Sequence, residues 1–328
     1  MVESYMVSSQ YKDKSPLVSV IIPTYNGEKF LKETIESVLN QTFDDYELII
    51  CDDLSNDLTV EIIDQYLDEP KVSFFQNDRR LGIGGNWNNG IKKSSGKYVK
   101  ILCQDDILLE NYLRDATDVL EQDDHISLVT TFEGFFGKYD RVLHYENLPL
   151  IHRENKPPGK MNRQKARESV LKYGNWIGGP TCTIFRKSDL GKVGLFSESI
   201  YCSLDWEQWL RLLAVGDLYV LPKMLLKTRL HNLQETNNCL RNLGFKKDRV
   251  KILKLIKNHP EIYGNFKTGD LNQWIDHSIL KLMDGASNNE RVNFGEIISF
   301  LNKQVGFYRT AKLRFKFALI KIHQKLCS

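Results

Sequence analysis

The chain predicts an α/β protein built on a mostly parallel sheet and followed by a helical extension. Three observations carry this expectation. Short β-branched apolar runs alternate with stretches of helical period over the first two thirds of the 328 residues, polar clusters stand where those runs end, and beyond residue 238 the strand-like runs cease. Alternation with short connections indicates parallel strands joined by crossover helices. With 41% of residues hydrophobic, a sizeable core is within reach.

In chain order, residues 1–16 are polar, end at Pro16 and read as a loose leader. Residues 18–23 (VSVIIP) form a run of the kind that becomes a strand buried on both faces. Residues 28–41 place Phe30, Leu31, Ile35, Val38 and Leu39 on one helical stripe. A second strand over 46–51 (YELIIC) leads into Asp52 and Asp53, and a helix follows over 59–67. Next come a strand at 72–76, a glycine-rich turn, a short helix at 86–93 and a strand at 98–102. Helix and strand repeat over 111–132, and 135–158 reads as a hairpin-like excursion with a proline-marked loop. Helices are then expected at 163–173 and 206–214, and strands at 181–185, 218–221 and 225–230. The resulting organisation is a leader (1–16), an α/β domain (17–240) and a basic helical region (241–328).

Charge is unevenly divided. Residues 241–328 hold 17 Lys+Arg against 7 Asp+Glu, a balance of +10, which leaves 28 against 35 in the first 240 residues. Such a tail suits an anionic surface: nucleic acid, phospholipid headgroups or a partner protein. The six cysteines (Cys51, Cys103, Cys182, Cys202, Cys239, Cys327) form none of the close pairs that zinc or thiol redox chemistry needs, so reduced, packing cysteines in a cytoplasm are expected. The first residues lack the apolar core of a signal peptide, and no run approaches the roughly 20 apolar residues that span a bilayer. The expectation is a soluble cytoplasmic protein, attached to the inner face of the plasma membrane by its tail if at all.

Ligands of open parallel sheets bind beyond the carboxyl ends of the strands, where strand order reverses. Three polar clusters fall at such ends: Pro23-Thr24-Tyr25-Asn26, Asp52-Asp53 and Gln104-Asp105-Asp106. Turn and cap chemistry accounts for any one of them alone; all three together point to one cleft. Adjacent carboxylates at 105 and 106, set between apolar runs, repel each other and call for a cation. Hard oxygen ligands suit Mg²⁺ or Mn²⁺. Asp53 is placed to accept hydrogen bonds from a nucleotide. A GxGxxG fingerprint is missing, since Trp87 stands where the third glycine belongs, and a P-loop is absent, which disfavours a dehydrogenase or an ATPase.

The stretches VSVIIPTYNGEKFLKETIESVLNQTFDDYELIICDDLSNDLT and GNWNNGIKKSSGKYVKILCQDD resemble family 2 of the glycosyltransferases. These are inverting, nucleotide-sugar-dependent enzymes of the GT-A fold, and the resemblance spans roughly residues 17 to 235. It implies a donor site with Pro23, Thr24, Tyr25 and Glu28 around the nucleotide and Asp53 on the base. The family's Asp-any-Asp metal motif falls on Cys103-Gln104-Asp105, so Cys103 replaces the first acid. Asp105 is then the expected metal ligand, with Asp106 helping on donor or acceptor. SLDWEQWLRL matches the helix that opens on a Glu-Asp pair and carries a later Arg, with Leu204 in place of the Glu. This implies Asp205 as catalytic base, acting on an acceptor hydroxyl within hydrogen-bond reach, with Glu207 as the acceptor-side alternative. An N-cap role for Asp205 is the competing explanation. KTRLHNLQETNN resembles the closing Arg-any-His segment and places Arg229 and His231 near the diphosphate or metal. Trp176-Ile177-Gly178-Gly179-Pro180 matches a loop facing the acceptor, where Gly178 and Gly179 permit close approach.

The implied activity is sugar transfer from a nucleoside diphosphate donor to a hydroxyl of a glycan or lipid-linked acceptor in bacterial surface polysaccharide synthesis, with no nucleic acid partner. Two rivals stay open. A nucleotidyltransferase would use similar acids but needs a glycine- and lysine-rich phosphate loop near the first strand. A degenerate nucleotide-sugar-binding module would tolerate the altered metal motif. In the tail, Leu313, Phe317, Ile320 and Leu326 recur at near-helical intervals among lysines and arginines, the pattern of a basic amphipathic helix at a membrane interface.

Overall fold

The computed structural model describes residues 15–137, 156–289 and 291–326. The expected leader up to residue 14 and most of the 135–158 excursion lie outside these. The chain divides into two compact units, one of residues 1–198 and 204–232, the other of residues 199–203 and 233–328.

The first unit opens with β1 (Val18–Thr24), α1 (Leu31–Leu39), β2 (Tyr46–Asp52), α2 (Thr59–Asp64), β3 (Val72–Gln76), α3 (Gly82–Lys93) and β4 (Tyr98–Ile101). It continues with β5 (Ile107–Leu108), α4 (Tyr112–Gln122), β6 (Ile126–Gly137), β7 (Gly159–Met161), α5 (Arg163–Tyr173), β8 (Thr183–Arg186), α6 (Leu190–Val193), α7 (Leu204–Val215) and β9 (Asp217–Leu230). All nine strands form one sheet, in the order β3-β2-β1-β4-β8-β6-β9-β5 with β7 also on β9.

The first four strands are mutually parallel. The chain winds outward from β1 to β3 and then returns to place β4 on the other side of β1. Strand order therefore reverses at β1, and the carboxyl ends of β1 and β4 flank the switch point. Both faces of β1 are covered, with Val18, Val20, Ile21 and Ile22 all fully buried, as a continuous apolar run in a parallel strand requires. Helix α3 lies tight on this strand: a Cβ on Gly90 would come within 2.5 Å of Ile21 Cγ2. Past β4 the sheet turns mixed, with β8 antiparallel to both β4 and β6 and β9 parallel to β6.

Two local differences from the sequence expectations affect the site. The runs at 218–221 and 225–230 form one strand, β9, whose register against β6 shifts around Thr131, Phe132 and Glu133. These irregularities let a single long strand carry Arg229 at its far end. Helix α7 begins at Leu204, so Asp205 lies inside the first turn.

The second unit is helical: α8 (Glu235–Arg241), α9 (Gly244–Asn258), α10 (Pro260–Tyr263), α11 (Thr268–Ser287), α12 (Phe294–Val305) and α13 (Phe307–Leu326). Leu271, Ile275, Ile279, Leu282 and Met283 give α11 a buried stripe, joined by Val250, Leu253 and Ile256 of α9. Here the expectation of reduced cysteines fails, because Cys202 and Cys239 form a disulfide across 37 residues. No sequence spacing marks such a pair. It arises because the Asp248 carboxylate gathers the amides of Tyr201, Cys202 and Ser203, and because Gly244 leaves room where a Cβ would meet Cys202 Sγ. The expected tail stripe also needs correction. Leu313 is buried and Phe317 stacks on Phe294, so these positions face inward, whereas Ile320 is exposed.

Candidate active site

At the end of β2 the two acids diverge. Asp52 is fully buried and accepts hydrogen bonds from Thr24 Oγ1, the Ser55 amide and hydroxyl, and Gln76 Nε2. It ties β1, β2 and β3 together, and it uses the Thr24 hydroxyl internally. Asp53 turns toward the start of α3. Its carboxylate accepts from the amides of Leu81 (2.7 Å) and Gly82 (2.9 Å), from Asn77 Nδ2 (2.9 Å) and from Arg80 Nε (3.1 Å). Helix-start amides suit an anion. Asn77 is itself fixed by Asn86 and Asn89. The Arg80 guanidinium also lies 3.2 Å from the centre of the Tyr25 ring, so Tyr25, Arg80 and Asp53 form one layered group.

Gln104 joins this group to the acidic loop. Its amide oxygen accepts from the Tyr25 amide and its Nε2 donates to the Tyr25 carbonyl. A Cβ on Gly27 would sit 2.6 Å from that oxygen, which explains the glycine. Pro23, inside β1, precedes this loop. Glu28 is directed elsewhere: it is exposed, and Oε2 accepts from the Leu58 amide, so its carboxylate braces the loop after β2.

Asp105 and Asp106 take different roles despite adjacency. Asp105 Oδ2 lies 2.7 Å from His231 Nε2, and the His231 ring packs on Phe30. Asp106 is buried and accepts from Thr181 Oγ1 (2.6 Å) and the Arg229 amide (2.9 Å). Burial, reinforced by the Asp105 charge, pushes Asp106 well above the usual carboxylate range. Arg229 closes the loop from above: Nε donates to the Asp105 carbonyl, Nη2 meets Glu33, and the guanidinium rests on Phe30 and Phe136.

Donor atoms of Cys103, Asp105 and Asp106 lie within 4.8 Å of one another. Burial drives the Cys103 thiol well above its ordinary value, so it stays protonated and is a poor ligand for a hard cation. Two neighbouring carboxylates with a histidine at hydrogen-bond distance fit a divalent ion of the Mg²⁺ or Mn²⁺ type.

Asp205 lies close to the glycine loop. Oδ2 accepts from Asn175 Nδ2 at 3.0 Å, and a Cβ on Gly179 would lie 4.0 Å from the same oxygen. Gly178 has φ +103, and its carbonyl accepts from Asn175 Nδ2 and Trp209 Nε1. Glu207 must be corrected from the acceptor side to the interior. It is 1% exposed and its two oxygens grip Arg211 at 2.7 and 2.8 Å, while Arg211 also binds the carbonyls of Val193, Gly194 and Leu195. One helical turn separates the two residues, so they pair on the buried side of α7.

Two buried lysines that sequence reasoning missed hold the loop from below. Lys100, fully buried on β4, donates to the carbonyls of Pro180, Thr181 and Thr183. Burial lowers its pKa from 10.5 to about 7. Lys156 donates to Thr130 Oγ1 and to the carbonyls of Thr131 and Ile177. Their signal in the sequence was a lysine inside an apolar strand, YVKIL, and a lysine beside prolines. Contacts thus run from Asp53 through Arg80 and Tyr25 to Gln104, the chain neighbour of Asp105, and from Asp106 to Thr181, while Asn175 bonds both the Gly178 carbonyl of the same loop and Asp205.

A doubly wound half-sheet with acids at its switch point, continued by mixed strands that carry a glycine loop, defines the GT-A class of nucleotide-sugar transferases. The description "Glycosyl transferase family 2" matches residues 19–194, and the chain belongs to that family and is a glycosyltransferase. It is 33% identical over 231 residues to an uncharacterized glycosyltransferase of Rickettsia typhi, covering 70% of this chain and 69% of that protein. It is 28% identical over 244 residues to a chondroitin synthase of Escherichia coli, covering 74% of this chain and 32% of that one. Among solved structures, S. aureus TarS 1-349 in complex with UDP-GlcNAc superposes with TM-score 0.65 at 16% identity, over 94% of this chain and 91% of that one. A mannosyltransferase from Pyrobaculum calidifontis in complex with GDP-Man and Mn²⁺ superposes with TM-score 0.57 at 15% identity, over 93% and 81%. At these identities the likeness is one of fold.

Proposed function

We propose that the protein is an inverting glycosyltransferase that moves a sugar from a nucleoside diphosphate donor to a hydroxyl of a glycan or lipid-linked acceptor in surface polysaccharide synthesis. The observation that carries this is the chain of contacts joining Asp53 through Arg80, Tyr25 and Gln104 to the loop of Asp105 and Asp106 at the carboxyl ends of β1, β2 and β4, with Thr181 bonded to Asp106 and Asp205 bonded to Asn175 at the neighbouring glycine loop. Tyr25 and Asp53 take the nucleotide. Asp105 and His231 would hold Mg²⁺ or Mn²⁺, whose charge offsets that of the diphosphate as a Lewis acid. Asp205 accepts the proton of the acceptor hydroxyl as its oxygen forms the new bond to the anomeric carbon. The bond from that carbon to the diphosphate oxygen breaks on the opposite face, and the nucleoside diphosphate leaves with the electron pair. Asn175 orients the Asp205 carboxylate for this role. The UDP-GlcNAc complex of TarS and the GDP-Man and Mn²⁺ complex of the mannosyltransferase support a nucleotide-sugar donor and a divalent ion.

The basic second unit brings the enzyme to the inner face of the plasma membrane, where a lipid-linked acceptor would lie. No described helix is long and apolar enough to cross a membrane. A thermal-shift panel of nucleoside diphosphates and their sugars, with and without Mn²⁺, identifies the donor. Asp205→Asn then abolishes transfer while leaving donor affinity nearly intact; substantial turnover by that variant overturns the base assignment. A wild type that bound donor yet released no nucleoside diphosphate with any acceptor would favour the binding-module alternative.

A further inference from the structure

Helix α13 (Phe307–Leu326) is anchored along one side. Thr310 and Leu313 are buried, Arg309 pairs with Asp276, Lys321 pairs with Asp284, and Phe317 stacks on Phe294. At about 100° per residue these positions define a single inner face. The opposite face is centred on Tyr308, Phe315 and Leu319, which are 89%, 70% and 51% exposed, and Phe307 beside them is 72% exposed. Contiguous large apolar side chains open to water mark an interaction surface.

Lysines frame this stripe. Lys312 and Lys316 flank it on one side and Arg314 on the other, all exposed, and among the described residues none of the three is in an ion pair. The helix has six Lys and Arg and no Asp or Glu. We propose that this outward face of α13 is a docking surface for anionic phospholipid, with Phe307, Tyr308, Phe315 and Leu319 entering the headgroup boundary and Lys312, Arg314 and Lys316 meeting the phosphates. The inference rests on the membrane contact proposed above and specifies the face that makes it. It is a different face from the Leu313 and Phe317 stripe visible in the sequence.

The charge pattern selects the occupant. A second copy of this chain in a two-fold contact would set the same basic face against itself, and like charges across an interface are repulsive. An anionic bilayer satisfies both components at once. Long lysine stems lie along the apolar surface while their ammonium groups reach the phosphates. A helix of this kind lies in the plane of the interface.

Flotation of the full chain with vesicles tests this. Recruitment is expected to vesicles containing phosphatidylglycerol and not to vesicles of phosphatidylcholine alone, and it weakens as salt rises. Lys312→Gln with Lys316→Gln should lower partitioning by roughly 25-fold, about fivefold per charge. Phe315→Ser with Leu319→Ser should lower it at least about tenfold, since each removes a side chain that the interface would cover. All four positions are exposed, so the melting temperature of both double variants stays at the wild-type value. Failure of the wild type to float, or equal flotation of wild type and both variants, overturns the proposal. So does a wild-type dimer that Phe315→Ser with Leu319→Ser converts to monomer, which would assign the face to a second copy. The assay contains neither donor nor acceptor, so lost transfer with intact flotation counts against the enzymatic reading alone.

Discussion

Replacing Lys100 by Met tests the foundation of the candidate site. Met fills similar space but carries no charge and no donor. In the folded protein, burial lowers the Lys100 pKa from 10.5 to about 7. That difference of 3.5 units corresponds to about 5 kcal/mol at about 1.4 kcal/mol per unit. Because the folded-state value is depressed, this stability is fully present above 10.5 and is lost as pH falls through 7. Below that window both states bind the proton and the folded state bears the whole cost of the buried ammonium. The stability of the wild type relative to Lys100→Met should therefore rise by about 2 kcal/mol between about pH 7 and pH 9. A second term does not vary with pH: three carbonyls, of Pro180, Thr181 and Thr183, lose their donor. Each such loss costs about 1–3 kcal/mol, which leaves the variant well below the wild type at the alkaline end. Urea unfolding at a series of pH values, with chelator present and the fluorescence of Trp176 and Trp209 as the signal, measures the difference. A stability difference that stays flat over this range would refute the reasoning. Transfer should also fall in the variant, because the Thr181 hydroxyl donates to Asp106 and accepts from the Cys103 amide.

Further outcomes follow from neighbouring contacts. Arg80→Ala should tighten nucleoside diphosphate binding about fivefold in calorimetry, since a base stacking on Tyr25 must displace the half-exposed Arg80 guanidinium from a cation–π contact worth about 1 kcal/mol; weaker binding would show that Arg80 stays and contacts the nucleotide. Asn175→Ala should lower kcat about tenfold with donor KM unchanged, as expected of a positioning residue whose loss leaves the Asp205 carboxylate misaligned; a lowered melting temperature in the variant would assign the effect to folding instead. Cys202→Ser should destabilise the oxidised second unit by about 2–4 kcal/mol, from the entropy of closing a loop of this length. That difference should vanish in dithiothreitol, and its persistence there would mean that the cost comes from packing.

The parallel half of the fold was legible because its strands are largely buried on both faces and so appear as mostly apolar runs. The acids at their ends were legible because polar residues that directly follow such runs have few alternatives. Partners were not. Nothing local distinguishes Asp52, which serves the scaffold, from Asp53, which accepts from the start of α3; the difference lies in which way each carboxylate leaves the strand end. Glu207 stood in the sequence as the alternative to Asp205, yet the Arg211 one turn later draws it inside. The Cys202–Cys239 bond and the outward stripe of α13 depend on how helices pack, and that is set by contacts far apart in the chain.

The replacement of an acid by Cys103 gains a physical meaning from these neighbours. An aspartate there would place a third carboxylate beside Asp105 and Asp106 in a loop where burial already pushes Asp106 well up. The Cys103 thiol, held neutral by its surroundings, adds no charge. Lys100 underlies the same loop with a cation or, above its lowered pKa, with a neutral amine, and Arg229 and His231 close it from β9. Negative charge in the loop is thus reduced at one position and met by positive or protonatable groups at three others. A loop balanced in this way holds its shape before a divalent ion arrives, and it should bind that ion more weakly than a loop of three carboxylates. The Cys103→Asp variant would tighten Mn²⁺ binding and lower the stability of the metal-free protein, two opposite effects of one added charge.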